Sequence, residues 1–267
     1  MLIRRALARP SDRAFWAAWF AALAALAGLG VWSTRRYALP FDPAPTRWVQ
    51  DLDRFALAGR IFGRVNEFGS YSFIGGMLIG FAVLLAVRGF RVEALVMAGA
   101  GAAHLVQLGV RQLVERPFSA QHPPWFAHAD WGLRQFPGPN GFPSGHVFGE
   151  AIVYGLIILY AGRLIPIKPL AWAVRSACAL EILLGGPARM YTGAHWPSDV
   201  LGAMLLAGLY LAIAWRIDGA VTRIRGVTAE RRLAERAGLS GTAARPRRIV
   251  RPAAGQAVTE REPARTR

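Results

Sequence analysis

The chain has one cysteine, Cys178, among 267 residues. That excludes a disulfide scaffold and any cysteine-based metal site. Cys178 sits inside an apolar run and reads as a small buried hydrophobe. Charge is also scarce. Only 18% of residues are charged, against about 25% in a soluble domain. Acidic residues are the scarcer sign, 16 against 32 basic, for a formal net charge of +16. A basic nucleic-acid binder would spread that charge over a surface. Here it is confined to gaps between apolar runs, and stretches such as 14–32 and 92–110 are nearly charge-free. The pattern argues against a nucleic-acid partner and for a multi-pass membrane protein.

Six apolar segments stand out: 14–32, 70–87, 92–110, 147–162, 169–186 and 198–215. Each approaches the ~20 residues that a helix needs to cross the hydrocarbon core. The expected fold is therefore all-α, a polytopic bundle of six transmembrane helices. The fifth segment carries Arg175 and Glu181, which should face the bundle interior or an end. The first follows four arginines and is long for a signal sequence, so it reads as an uncleaved first span. Gly76 and Gly80 form a small-xxx-small pair, a weak signal in apolar sequence. The division is a cytoplasmic N-terminus over 1–13, a membrane domain over 14–216, and a basic cytoplasmic tail over 217–267. That tail has the composition of a largely disordered segment, with 220–238 readable as a basic helix held by anionic headgroups.

Arginine counting sets the orientation. With the N-terminus inside, the inner gaps hold Arg4, Arg5, Arg9, Arg13, Arg88, Arg91, Arg163 and Lys168, and the tail after 215 adds thirteen arginines. Gap 33–69 is an exception with six, and within it 46–65 is compatible with an amphipathic surface helix. The balance places both termini in the cytoplasm of a cell-membrane protein. Gaps 33–69, 111–146 and 187–197 then lie on the extracytoplasmic side.

Two polar clusters fall in those outer gaps. Phe142-Pro143-Ser144-Gly145-His146 precedes the fourth span. Ser144 is a natural N-cap, Gly145 admits a ligand close to the backbone, and a helix N-terminus favours an anion. His146 would then give or take a proton beside a bound phosphate. The second cluster runs from Arg189 to Asp199 into the sixth span, with Pro197 suited to a first helical turn. His195 and Asp199 are four apart and share a helical face. A carboxylate there fixes the imidazole tautomer and leaves the other nitrogen nucleophilic. Arg189 offers a planar fork for phosphate oxygens. His104, Gln107 and Arg111 form a polar stripe on the third span that should face the bundle. His122, His128 and Asp130 could suggest a metal site, but their company of Trp125, Phe126 and Trp131 reads as an interfacial loop.

The combination resembles the type 2 phosphatidic acid phosphatase superfamily, the lipid phosphate phosphatases. Its pattern is Lys-x6-Arg-Pro, then Pro-Ser-Gly-His, then Ser-Arg-x5-His-x3-Asp. The second motif is complete at Pro143 to His146, and the third is present from Arg189 to Asp199 with Ala188 in place of Ser. The resemblance covers about 105–205 by motif. It implies six helices with a site at one membrane face and a metal-independent reaction without cofactor. By the same resemblance, His195 is the nucleophile that becomes a phosphohistidine, Asp199 orients it, and His146 protonates the leaving group. Ser144, Gly145, Arg189 and Arg111 resemble the phosphate cradle.

The first motif departs from the pattern. Strict spacing back from Arg116-Pro117 puts Gly109 at the Lys position. The alternative register puts Arg111 there and lets the Arg-Pro fall on Phe118-Ser119. The second register is favoured, with Arg111 as phosphate ligand and Arg116 reaching the same anion from a loop bent by Pro117. The implied substrate is a lipid phosphate or diphosphate in the bilayer, of the undecaprenyl diphosphate, phosphatidylglycerol phosphate or phosphatidic acid class. A lipid phosphotransferase and a non-catalytic lipid-binding relative are the alternatives. A haloperoxidase with related motifs would be soluble, against the six spans.

Overall fold

The computed structural model describes residues 12–117 and 141–236. Every regular element among them is helical. The helices are α1 (Asp12–Ser33), α2 (Pro43–Gln50), a 3₁₀ turn (Asp51–Arg54), α3 (Ala56–Phe68), α4 (Tyr71–Val87), α5 (Arg91–Val114), α6 (Gly145–Leu164), α7 (Lys168–Tyr191) and α8 (Pro197–Arg236). The loop with His122, His128 and Asp130, and the tail from 237, lie outside the described residues. Among the described residues, those up to Val221 form one compact unit and those from Thr222 belong to a second. The second unit is helical as far as Arg236.

The helix boundaries follow local chemistry. Ser70 caps α4 by accepting the Phe73 N–H, and Ser144 caps α6 by accepting that of Val147. Proline opens α2 and α8, where its missing N–H costs nothing. α5 stops at Val114 because Glu115 turns left-handed at φ 49°. α7 closes in a Schellman motif. The Ala194 N–H reaches the Arg189 carbonyl and the Gly193 N–H that of Met190, with Gly193 at φ 70°.

α6 is the central helix and is buried on nearly all sides, as expected of a helix that is apolar all round. Its Val147, Phe148, Ile152, Leu156 and Tyr160 pack against Leu85, Met97, Ala203 and Ala207. The outer faces are apolar too: Ile79, Val83, Leu95, Leu105, Leu113 and Leu183 are all exposed. An apolar exterior around an apolar core is the signature of a bundle solvated by lipid. α1, α5, α6 and the first part of α8 are each long and apolar enough to cross a membrane. α3 and α4, bent by 50° at their junction, make a fifth candidate. α7, with Lys168, Arg175, Glu181 and Arg189, does not pass the same test. Its Arg175 turns towards α6, donating to the Ile158 carbonyl at 3.0 Å and covering Trp172.

At one end of the bundle, Arg163 of α6 joins Glu93 of α5 and Asp218 of α8 in a three-way ion pair. The segment expected as one surface helix over 46–65 is broken into α2, the 3₁₀ turn and α3, because Phe55 adopts an extended backbone. Phe62 and Val65 of α3 and Val49 of α2 pack on Ala188 and Tyr191 of α7. Gly76 and Gly80 face no neighbouring atom, so that pair makes no close helix contact.

Candidate active site

The site is assembled at the opposite end of these helices from the Arg163 ion pair. It gathers the C-terminal end of α5, the start of α6, the end of α7 and the start of α8. Ser144 and Asp199 meet through the backbone, the Ser144 N–H donating to the Asp199 carbonyl at 3.2 Å. Gln107, from the polar stripe of α5, is buried and donates to the Pro143 carbonyl at 2.9 Å. The stripe thus faces the bundle and fixes the chain as it approaches α6.

His195 lies just before α8 and is 5% exposed. Its Nδ1 stands 3.5 Å from Oδ2 of Asp199. The same Oδ2 accepts the Trp196 N–H at 2.9 Å, the reach-back of a third-position carboxylate in a capping box. Asp199 is wholly buried. Nδ1 is thus the ring nitrogen turned to the carboxylate.

His146, in the first turn of α6, is half-buried. Its ring lies 4.1 Å from that of Tyr71, which also meets His104 edge-on at 5.7 Å. Arg189, His195, Arg111 and His104 all lie within electrostatic range of His146. A Cβ on Gly145 would run into the Tyr71 hydroxyl and sit 3.4 Å from Nε2 of Gln107. Glycine is therefore required here by close approach as well as by any anion.

Arg189 is 2% exposed. One of its terminal nitrogens donates to the Asn66 carbonyl at 3.4 Å and lies 3.9 Å from Oε1 of Glu150. Its Nε–H is buried with no hydrogen-bond partner, as are both Glu150 oxygens. The Glu150 carboxylate occupies a slot between Gly69 and Gly185, where a Cβ on either would collide with it.

Arg116 is placed differently from the other candidates. Each of its three guanidinium nitrogens is engaged within the protein. Nε–H donates to the Arg36 carbonyl at 3.2 Å. One terminal nitrogen binds Ser198 Oγ and Asp199 Oδ1, both at 2.6 Å. The other binds Asp42 Oδ2 at 2.7 Å and the Tyr37 carbonyl at 3.5 Å. The expected phosphate contact from Arg116 would require breaking one of these bonds. Arg111, at the last turn of α5, remains half-buried on the His146 side.

Sequence reasoning missed Asp42, which carries no motif or periodic signal. It also missed Ser198, Asn66 and Tyr71. Only Ser198, inside the Arg189–Asp199 segment, lay where the signal already pointed. Among the described residues, no three His, Cys, Asp or Glu side chains converge as a metal-holding group.

Residues 95–223 match the PAP2 superfamily. The matched segment contains all three motif regions, in the order the sequence motifs implied. No curated protein matches the chain. Among solved structures, the fold is similar to one described as the first transmembrane PAP2 type phosphatidylglycerolphosphate phosphatase from Bacillus subtilis. The two share 19% identity with a TM-score of 0.61, over 76% of this chain and 96% of the other.

Proposed function

We propose that this protein is a membrane phosphatase that hydrolyses a lipid phosphate or diphosphate at His195. The observation that supports this best is the pairing of His195 with Asp199 beside Arg189, a buried arginine with an unpaired N–H. A buried donor without a partner is costly, and an anion would satisfy it. Arg189 and Arg111, with Ser144, Gly145 and the N-terminus of α6, form the cradle for the phosphoryl oxygens.

In the first step, Nε2 of His195 attacks phosphorus and the bond from phosphorus to the lipid oxygen breaks. His146 donates its proton to that leaving oxygen. In the second, His146 takes a proton from water as the water oxygen attacks phosphorus, and the N–P bond breaks to release inorganic phosphate. Asp199 holds the Nδ1 proton throughout, and the two arginines stabilise charge on the equatorial oxygens.

A lipid tail has a place to lie. An apolar cavity of about 250 Å³ runs between α4, α5 and α6, lined by Ile74, Leu78, Ala100 and Ile152. Its polar end is Tyr71 and His104, the two rings beside His146. All six long helices cross the bilayer in this reading, with α7 shielding Arg175 and Glu181 against α6, and the site opens on the extracytoplasmic side. The test is phosphate release by purified protein in detergent, against a panel of lipid phosphates with EDTA present. Release from at least one lipid, abolished by His195→Ala, is expected. No release from any of them, or full activity in His195→Ala, would refute the reading.

A further inference from the structure

Arg116 and Asp42 together do something that neither motif spacing nor a phosphate role describes. We infer that they form a buried brace that positions Asp199, and through it His195. The inference rests on the phosphatase reading above.

Asp199 has two carboxylate oxygens and both are held. Oδ2 takes the Trp196 N–H and faces His195. Oδ1 takes Arg116 at 2.6 Å. The plane of the carboxylate is therefore fixed from the side away from the imidazole. Arg116 is fixed in turn by Asp42, at 2.7 Å. Asp42 is anchored at both oxygens: Oδ1 accepts the Ser198 N–H at 2.9 Å, and Oδ2 accepts the Leu39 N–H and the Ser198 hydroxyl, each at 2.7 Å. Asp42, Arg116 and Asp199 are each 0% exposed. Arg116 lies 74 residues along the chain from Asp42 and 83 from Asp199.

Charge gives Asp42 a purpose beyond anchoring. Arg116 alone would neutralise Asp199, and His195 would face a cancelled carboxylate. With Asp42 as a second anion, the trio carries a net negative charge towards the imidazole. That residual charge opposes the positive charge that develops on His195 as its Nε2 bonds to phosphorus. Arg116 and Asp42 are positioning residues in this scheme, since neither touches the phosphoryl group.

The experiment compares Asp42→Asn, Ser198→Ala and wild type in detergent, measuring kcat, KM and the Ki of inorganic phosphate. Asp42→Asn keeps the shape of the side chain, and Ser198→Ala removes only the hydroxyl shared by Asp42 and Arg116. We expect kcat to fall about tenfold or more in Asp42→Asn and several-fold in Ser198→Ala, with the phosphate Ki within about twofold of wild type. Asp42→Asn made on top of Asp199→Asn should cost less than about twofold more, since the brace acts only through Asp199. Wild-type kcat in both single variants would overturn the brace. So would a raised phosphate Ki, or a full additional loss in the double variant. A wild-type protein that releases no phosphate would instead remove the reading on which the brace stands.

Discussion

Gly186 is the position where α7 and α8 approach most tellingly near the site. It is buried in α7, one turn before Arg189. A Cβ placed there would lie 2.6 Å from Cγ1 of Val200, 3.6 Å from its Cγ2 and 3.7 Å from its Cβ. Carbon atoms rest about 3.5–4.0 Å apart, so Gly186→Ala demands a retreat of about 1 Å. Val200 cannot swing away. A helical valine has one strongly favoured rotamer, and its second methyl already lies close. The helices must separate instead. Val200 follows Asp199 directly, so the separation draws Asp199 and His195 away from Arg189. Overpacking of this kind costs about 1–3 kcal/mol. The usual gain of about 1 kcal/mol from replacing a helical glycine offsets part of it. The net loss of stability is then modest, while a misplacement of a catalytic group by about 1 Å costs on the order of 100-fold in rate. The assay pairs a thermal melt in detergent with phosphate release, using Gly76→Ala as control because nothing lies within 4 Å of a Cβ there. The control should melt no lower than wild type and keep full activity. A Gly186→Ala protein with wild-type kcat and an unchanged melting temperature would refute the reasoning.

Other outcomes follow from the same geometry. His195→Ala should lower phosphate release by more than about 1,000-fold without lowering the melting temperature by more than a few degrees. Arg111→Ala and Arg189→Ala should each raise the Ki of inorganic phosphate and cost turnover about 2–4 kcal/mol in transition-state binding; unchanged Ki in both would remove them from the cradle. Activity should survive EDTA, and a strict requirement for an added divalent ion would count against a His and Arg site. In a Cys178→Ala background, a cysteine replacing the exposed Ala44 should react with an impermeant thiol reagent in intact cells, whereas reaction only after lysis would invert the membrane orientation.

Much of this architecture was legible because lipid imposes a simple rule on sequence. The six apolar runs correspond to α1, α4, α5, α6, α7 and α8. Ser144 and Pro197 announced helix starts through local chemistry. His195 and Asp199 do meet, as their spacing suggested, but not on one helical face: α8 starts at Pro197, and the pair forms because Asp199 reaches back to the chain ahead of the helix. What could not be read depends on contacts made across the fold. Asp42 sits in a connecting segment, and only tertiary packing sets it against Arg116. The direction of Arg116 is decided by the left-handed turn at Glu115, a conformation unusual for glutamate. The break at Phe55 likewise has no glycine or proline to mark it. The tolerance of α7 for Glu181 and Arg175 depends on what α6 presents to it.

The ion pair among Glu93, Arg163 and Asp218 has a bearing on the candidate site at the far end of the bundle. It fastens α5, α6 and α8 at one end, and the polar contacts among Arg116, Ser144 and Asp199 fasten the chain at the other ends of the same three helices. Sliding any of these helices by a turn would break polar contacts at both ends. The separation of the two imidazoles is thus a fixed gauge, set by helix register over the full thickness of the bundle. In the proposed reading, such a gauge measures the headgroup, admitting a phosphoryl unit of one size between His146 and His195. Tolerance for different lipid tails then belongs, in the same reading, to the apolar cavity flanked by Ile74 and Leu78 of α4.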